Sequence, residues 1–207
     1  MVMKFIFNSP AAGLWLRAVC WLGLLCGAFP ATVQAQATYF TPRAVLAEFF
    51  PKSQLVTYQK YEPNPAQRAR IEALLGYALK RSAYTFYVAK TGEHIDGYAL
   101  LDEENGQHLP ISYAVKLSPK GSVERHEIMV YRERYGDEVR DPRFRQQFVG
   151  KTAADPLRPG EEVIAVSGAT ISSRAMAIGV RRCLVLFDEL VLRPQREIAG
   201  GATSAAH

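Results

Sequence analysis

Four consecutive residues, Ser167-Gly168-Ala169-Thr170, place two hydroxyls around a glycine and an alanine, just before a long amphipathic stretch. The preceding residues, Val163 to Val166, are apolar and read as extended. Gly168 lets the chain bend where a side chain would clash, and Ala169 keeps the surface open. Thr170 would then present its hydroxyl beside the unpaired N–H groups of a helix start. Those donors, together with the helix dipole, favour a phosphate. The same string also suits an ordinary loop ending in a helix cap. On the residues alone both readings stand.

The elements that must position this loop follow from periodicity. Met176, Val180, Cys183, Leu184, Phe187 and Val191 recur at helical spacing, which predicts a helix from about Ser172 to Leu192, ended by Pro194. Upstream, Tyr84–Lys90 and His94–Leu101 read as a hairpin around Thr91-Gly92-Glu93, followed by an acidic loop over Asp102–Gly106. Pro110–Leu117 and Ser122–Tyr131 read as a second hairpin. Strands joined by short turns imply an antiparallel sheet. Thr41-Pro42 and Asn64-Pro65 each open a short helix, with a capping residue before a proline. The expected class is α+β: an antiparallel sheet packed by a long C-terminal helix, with helices at the N-terminal side.

Between sheet and motif the pattern changes. Arg132, Arg134, Arg140, Arg143, Arg145 and Lys151 are interleaved with Tyr135, Phe144 and Phe148. Asp141-Pro142 reads as the cap of a short helix carrying Phe144 and Phe148 on one face. The arginines read as a solvated surface paired with Glu133, Asp137, Glu138 and Asp141. The alternative is a basic wall beside an anionic cofactor or partner.

The stretch Ser167-Gly168-Ala169-Thr170-Ile171-Ser172-Ser173-Arg174-Ala175 resembles the signature of the FMN-binding domain family, found in the C subunit of the sodium-pumping NADH:quinone reductase and the G subunit of the Rnf complex. The resemblance reaches back less specifically to about Asp96, through Ile128–Glu133, Tyr135-Gly136, Arg140–Phe144 and Phe148–Lys151. It implies that FMN is bound by Ser167, Gly168, Ala169 and Thr170, with its phosphate esterified to the Thr170 hydroxyl by an ApbE-type flavin transferase outside the cytoplasm. One position departs from the family pattern: the usual Asp three residues before the Ser/Thr is Ile164 here.

The rest of the chain bounds the setting. Arg17 precedes an apolar run from Ala18 to Phe29, Pro30 breaks it, and small residues follow to Ala37. This is the order of a secretory signal, with cleavage expected after Ala35 or Ala37. An uncleaved anchor competes, but a span needs ~20 mostly apolar residues. The net charge of +5 includes Lys4 and Arg17 of that leader, so the remainder is too weakly basic to argue for nucleic acid. Cys20 and Cys26 also lie in the leader. Cys183 is then left alone and reads as a buried helix residue.

The expected organisation is a signal peptide over 1–35, an N-terminal helical segment over 36–83, the FMN-binding domain over 84–194 and a disordered tail over 195–207. His94, His108 and His126 are too scattered for a metal site. No Gly-x-Gly-x-x-Gly, Cys-x-x-Cys or haem-attachment motif occurs. A flavin without its own reductant site reads as an electron carrier working with a membrane or periplasmic redox partner. Two alternatives remain: a small FMN-dependent reductase, and a non-redox binding module that has lost the flavin.

Overall fold

The computed structural model describes residues 36–204. The expected leader over 1–35 lies outside the described residues. One six-stranded sheet organises them, in the order β1-β6-β5-β4-β3-β2, with every neighbouring pair antiparallel. The strands are β1 (Ala37–Thr38), β2 (Leu55–Tyr61), β3 (Tyr84–Thr91), β4 (His94–Asn105), β5 (Pro110–Leu117) and β6 (Val123–Tyr131). The helices are α1 (Pro42–Phe49), α2 (Pro65–Leu75), α3 (Pro142–Gln146), α4 (Thr170–Phe187) and α5 (Arg193–Ser204). The α+β reading of the sequence is what forms.

Strand residues alternate between two faces, and the alternation here also sorts them by size. Phe86, Val88, Tyr98, Leu100, Tyr113, Val115 and Ile128 share a core with Met176, Val180, Leu184 and Phe187 of α4. Their neighbours Ala89, Ala99, Ala114 and Met129 face the other way, beneath Val45, Phe49 and Phe50 at α1. Three alanines on that side leave a shallow surface on which a short helix can sit close. The large side chains fill the thicker layer under α4, where the Phe187 ring lies 4.7 Å from Tyr98 and 5.4 Å from Phe86. Such aromatic pairs add ~0.5–1.5 kcal/mol each beyond the area they bury.

Both N-terminal helices start as their caps predict. Thr41 accepts from the Ala44 N–H at 3.2 Å, and Asn64 forms a reciprocal capping box with Gln67. Segment 36–83 is nevertheless not purely helical: it supplies β1 and β2, the two edges of the sheet. Leu55 to Lys60 are all exposed, so β2 lacks the apolar alternation that would announce a strand. The expected acidic loop is also strand. β4 continues to Asn105 because β5 pairs it throughout, Asp102 opposite Tyr113 and Asn105 opposite Pro110.

The C-terminal helix does not stop at Pro194. Asp188–Leu192 forms a π turn, and α5 runs on to Ser204, across part of the expected disordered tail. Proline lacks an N–H and its ring crowds the carbonyl four residues back. A widened turn immediately before it relieves that clash and lets the helix resume.

Candidate functional site

Thr170 is the first residue of α4, with Ala169 in the N-cap position. The chain reaches it through Gly168, whose φ of +82° is in the left-handed region where a side chain is disfavoured. Ser167, Gly168 and Thr170 are exposed, and Ala169 is buried. The loop therefore turns its two hydroxyls outward around one buried methyl. Ser173 is the first helix residue whose N–H meets a carbonyl, that of Ala169 at 2.8 Å. The N–H groups before it are the donors that a helix start leaves without intrahelical partners.

The other hydroxyls of this turn are committed elsewhere. Ser172 is 4% exposed, and its hydroxyl lies 2.8 Å from that of Tyr131. Tyr131 donates its single proton to the Tyr135 carbonyl at 2.5 Å, so Ser172 is the donor between the two. Burial comes first among the influences that raise the Tyr131 phenol, and the Ser172 bond works against it. Ser173 is 2% exposed and accepts from the Val166 N–H at 3.0 Å. These bonds tie the first turn of α4 to the end of β6 and to the strand-like run before the motif.

Two further contacts hold the motif's approach. The Gln147 side-chain amide grips the backbone of Ile164, accepting from its N–H at 2.8 Å and donating to its carbonyl at 3.1 Å. Gly136, at φ +96°, passes so close that a Cβ there would stand 2.6 Å from the Tyr131 hydroxyl and 2.7 Å from that of Ser172. Beyond Gly136 the chain enters a 3₁₀ turn over Asp137–Arg140. The Glu138 carboxylate from that turn is the nearest group to Gly168, 3.7 Å from where a Cβ would be.

A pocket of about 270 Å³ opens beside Thr170, lined also by Pro159, Gly160, Val163, Ala165, Ser173 and Arg174. Its far wall is the Pro159–Val163 turn, clasped by Arg158 and Glu162 at 2.6 Å. Hydrogen bonding to Arg158 holds the Glu162 carboxyl down to about 2. Arg174 lies one helical turn beyond Thr170 and has no acidic partner among the described residues. An exposed hydroxyl, free helix N–H groups and an unpaired guanidinium around one hollow fit the phosphate end of a nucleotide.

The basic segment does not pair as its sequence suggested. Arg132 reaches Glu103 on β4, Arg145 bonds Glu127 on β6, and Arg140 lies 3.3 Å above the Tyr39 ring. Glu133, an expected partner, instead accepts the His108 and Leu109 N–H groups at 2.6 and 2.9 Å. Local acids were the wrong partners because the strands bring distant ones closer. The short-helix reading fits: Asp141 caps α3 by accepting from the Arg143 N–H at 2.7 Å, and Phe144 and Phe148 are buried. Cys183 is buried, and burial raises its thiol far above the ordinary range. Among the described residues no cluster of His, Cys, Asp and Glu could hold a metal ion.

Gln147, Tyr131, Gly136 and Ser173 shape the site; the last three lie in stretches that carry the family resemblance, but none is marked there as a site residue, and Gln147 lies outside them. Each acts through a tertiary contact that no spacing rule encodes. Arg174 stood inside the motif and could have been read as a phosphate partner, one turn after Thr170.

No curated protein matches the chain. Residues 106–185 match the family model of the FMN-binding domain. The stretch from the β4–β5 turn to the last turns of α4 therefore carries the signature of the FMN-binding domain family, which supports FMN as the cofactor.

Proposed function

We propose that this chain is an exported, periplasmic electron carrier whose FMN is joined through its phosphate to the Thr170 hydroxyl. One observation carries the attachment point. Of the three hydroxyls on the first turn of α4, only that of Thr170 is exposed, while Ser172 and Ser173 are buried and hydrogen-bonded. Thr170 also opens onto the pocket that Arg174 borders.

Bound FMN supplies one- and two-electron redox chemistry. The chain's own residues hold the phosphate end. Thr170 Oγ is the accepting atom, the helix N–H groups and Arg174 offset negative charge, and Gly168 keeps the approach open. The exposed Tyr135, Val149, Ile164 and Ile171 stand on segments adjoining the loop. They give a redox partner apolar surface to meet there. The partners of this reading are an ApbE-type flavin transferase, which loads the chain, and a membrane or periplasmic protein that exchanges electrons with it. No helix among the described residues is long and apolar enough to cross a membrane.

Thr170→Val tests the proposal. It keeps the β-branched shape and removes only the hydroxyl. Co-expressed with a flavin transferase, the parent should show an FMN adduct in its intact mass, and Thr170→Val should lose it at normal yield. Thr170→Ser should retain part of it. A full adduct on Thr170→Val overturns attachment at this residue. A colourless parent overturns the flavin carrier in favour of a binding module. Turnover with a soluble donor and acceptor pair would instead mark a reductase.

A further inference from the structure

A second hollow, of about 540 Å³, opens further along α4. Tyr77, Tyr84 and Ile178 give it apolar walls, and Lys80, Arg81 and Asp102 charged ones. Sites for drug-sized ligands occupy ~300–1,000 Å³. The hollow beside Thr170, at about 270 Å³, falls short of that range and suits a phosphate with the carbons next to it. One row of side chains joins the two. Thr170, Arg174, Ile178 and Arg182 follow at four-residue spacing along α4, so each neighbours the next. Thr170 and Arg174 line the first hollow, Ile178 and Arg182 the second.

The charges of the second hollow do not cancel. Arg182 is held by Asp102 at 2.8 Å and by Glu104. Arg81 meets Asp102 at 2.7 Å but is half exposed. Lys80 has no acidic partner among the described residues. Glu103 turns its carboxylate away, to Ser112 and Arg132. Positive charge is thus in excess, on the exposed side, at Lys80 and Arg81.

We propose that the isoalloxazine ring of FMN attached at Thr170 lies in this second hollow, with Lys80 and Arg81 beside it. The inference rests on that attachment. About eight bonds separate Thr170 Oγ from the ring, roughly 10 Å when extended at ~3.8 Å per three bonds. Ile178 stands eight residues beyond Thr170, about 12 Å at ~1.5 Å per residue, and the ring's own length covers the difference. Its faces are apolar and one edge is polar, which suits aromatic and aliphatic walls with cations at the rim. Two electrons from the redox partner and one proton from water leave the ring with a negative charge, which Lys80 and Arg81 offset. Tyr77, Lys80, Arg81, Tyr84 and Asp102 all precede the stretch that carries the family signature, so this setting is built by the chain's own N-terminal side.

The test uses the full chain loaded by a transferase, with intact mass confirming the adduct. In the loaded parent the flavin should be weakly fluorescent, because stacked tyrosines quench it, and its anisotropy should be that of the protein. Ile178→Glu sets a carboxylate in the wall and should release the ring, with fluorescence raised severalfold and anisotropy lowered while the adduct remains. Replacing Lys80 and Arg81 together by Gln should move the flavin midpoint potential to more negative values, and Arg81→Lys alone should stay near the parent. Arg43→Gln, on α1, removes a charge far from the hollow and should leave the potential unchanged. An adduct whose ring is bright and freely tumbling in the parent overturns the docking and leaves the attachment standing. No adduct at all overturns the attachment, and the docking with it. A potential unmoved by the double replacement, or moved equally by Arg43→Gln, overturns the part given to Lys80 and Arg81.

Discussion

The amide of Gln147 holds the backbone of Ile164 from both sides, receiving its N–H at 2.8 Å and giving an N–H to its carbonyl at 3.1 Å. The Ile164 side chain meanwhile stays 71% exposed. Position along the chain and side-chain identity are thus separated at this point: Gln147, the residue that ends α3, fixes where the approach to the motif runs, whatever residue 164 carries.

Gln147→Ala should therefore loosen the run from Ile164 to Ser167 without unfolding the domain. The expected result is a lower FMN-loaded fraction at equal transferase levels, with a destabilisation of about 1–2 kcal/mol from two lost hydrogen bonds. Gln147→Glu keeps the acceptor for the Ile164 N–H but turns the donor into a second acceptor facing a carbonyl. It should load no better than Gln147→Ala. Unchanged loading in both variants would show that the grip does not matter to the cradle.

Ile164→Asp should raise the flavinylated fraction, because it restores the acid of the family motif on an exposed side chain whose backbone is already held. Stability should change by less than about 0.5 kcal/mol, as for other exposed positions. Intact mass after limited exposure to transferase measures the effect. A parent already loaded to completion would show that the transferase reads other features here.

Gly136→Ala should be costly for two separable reasons. Its φ of +96° disfavours any Cβ, and that Cβ would fall within 2.7 Å of the Tyr131 and Ser172 hydroxyls. A loss of about 2–4 kcal/mol is expected, a fall in Tm of roughly 5–15 °C for a domain of this size. Gly150→Ala is the control. Its φ is +80°, but nothing lies within 4 Å of the new Cβ, so it should cost clearly less.

His126 gives the domain an acid-sensitive core. It is 1% exposed between Tyr113 and Phe148, and neither ring nitrogen has a hydrogen-bond partner. Burial, with Arg145 adding to it, pushes the imidazole down to about 3. The unfolded chain takes up that proton near pH 6.5, whereas the folded chain stays neutral to about pH 3. The contribution of His126 is therefore complete above pH 6.5 and is lost as pH falls towards 3. Denaturation midpoints at pH 7 and pH 4.5 should fall further apart in the parent than in His126→Leu. Equal pH dependence in the two proteins would refute this assignment.

The legible parts of the sequence were those with local causes. Capping pairs, turn glycines and a helical repeat are written within a few residues, so α1, α2, α4 and both hairpins could be placed from them. The motif was legible too, as three small or hydroxylated residues around Gly168. What sequence could not show depends on partners far along the chain. Asp102 and Glu104 read as loop because four acidic or amide residues cluster there. They sit in strand because Arg182 neutralises them from α4. The family resemblance pointed to Thr170, but residue types alone did not separate it from Ser172 and Ser173, since all three are hydroxyls near a helix start. Only Tyr131 and Val166, brought in by the fold, tell them apart.

Arg182 has a consequence for how the molecule breathes. It lies twelve residues beyond Thr170 on α4, roughly 18 Å at 1.5 Å per residue. There it is bound to Asp102 at 2.8 Å, to Glu104 and to the Tyr113 hydroxyl at 3.1 Å. Burial works against its charge, but the groups around it more than compensate and keep the guanidinium ionised. The middle of α4 and the end of β4 are thereby locked into one cooperative unit, whose amides should exchange with solvent deuterium only on global opening. The first turn of α4 has no such anchor and depends on two serine hydroxyls. It should exchange earlier, as a pliant tip on a rigid shaft; under the attachment proposed at Thr170, the transferase would meet this tip while the rest of the helix stays folded.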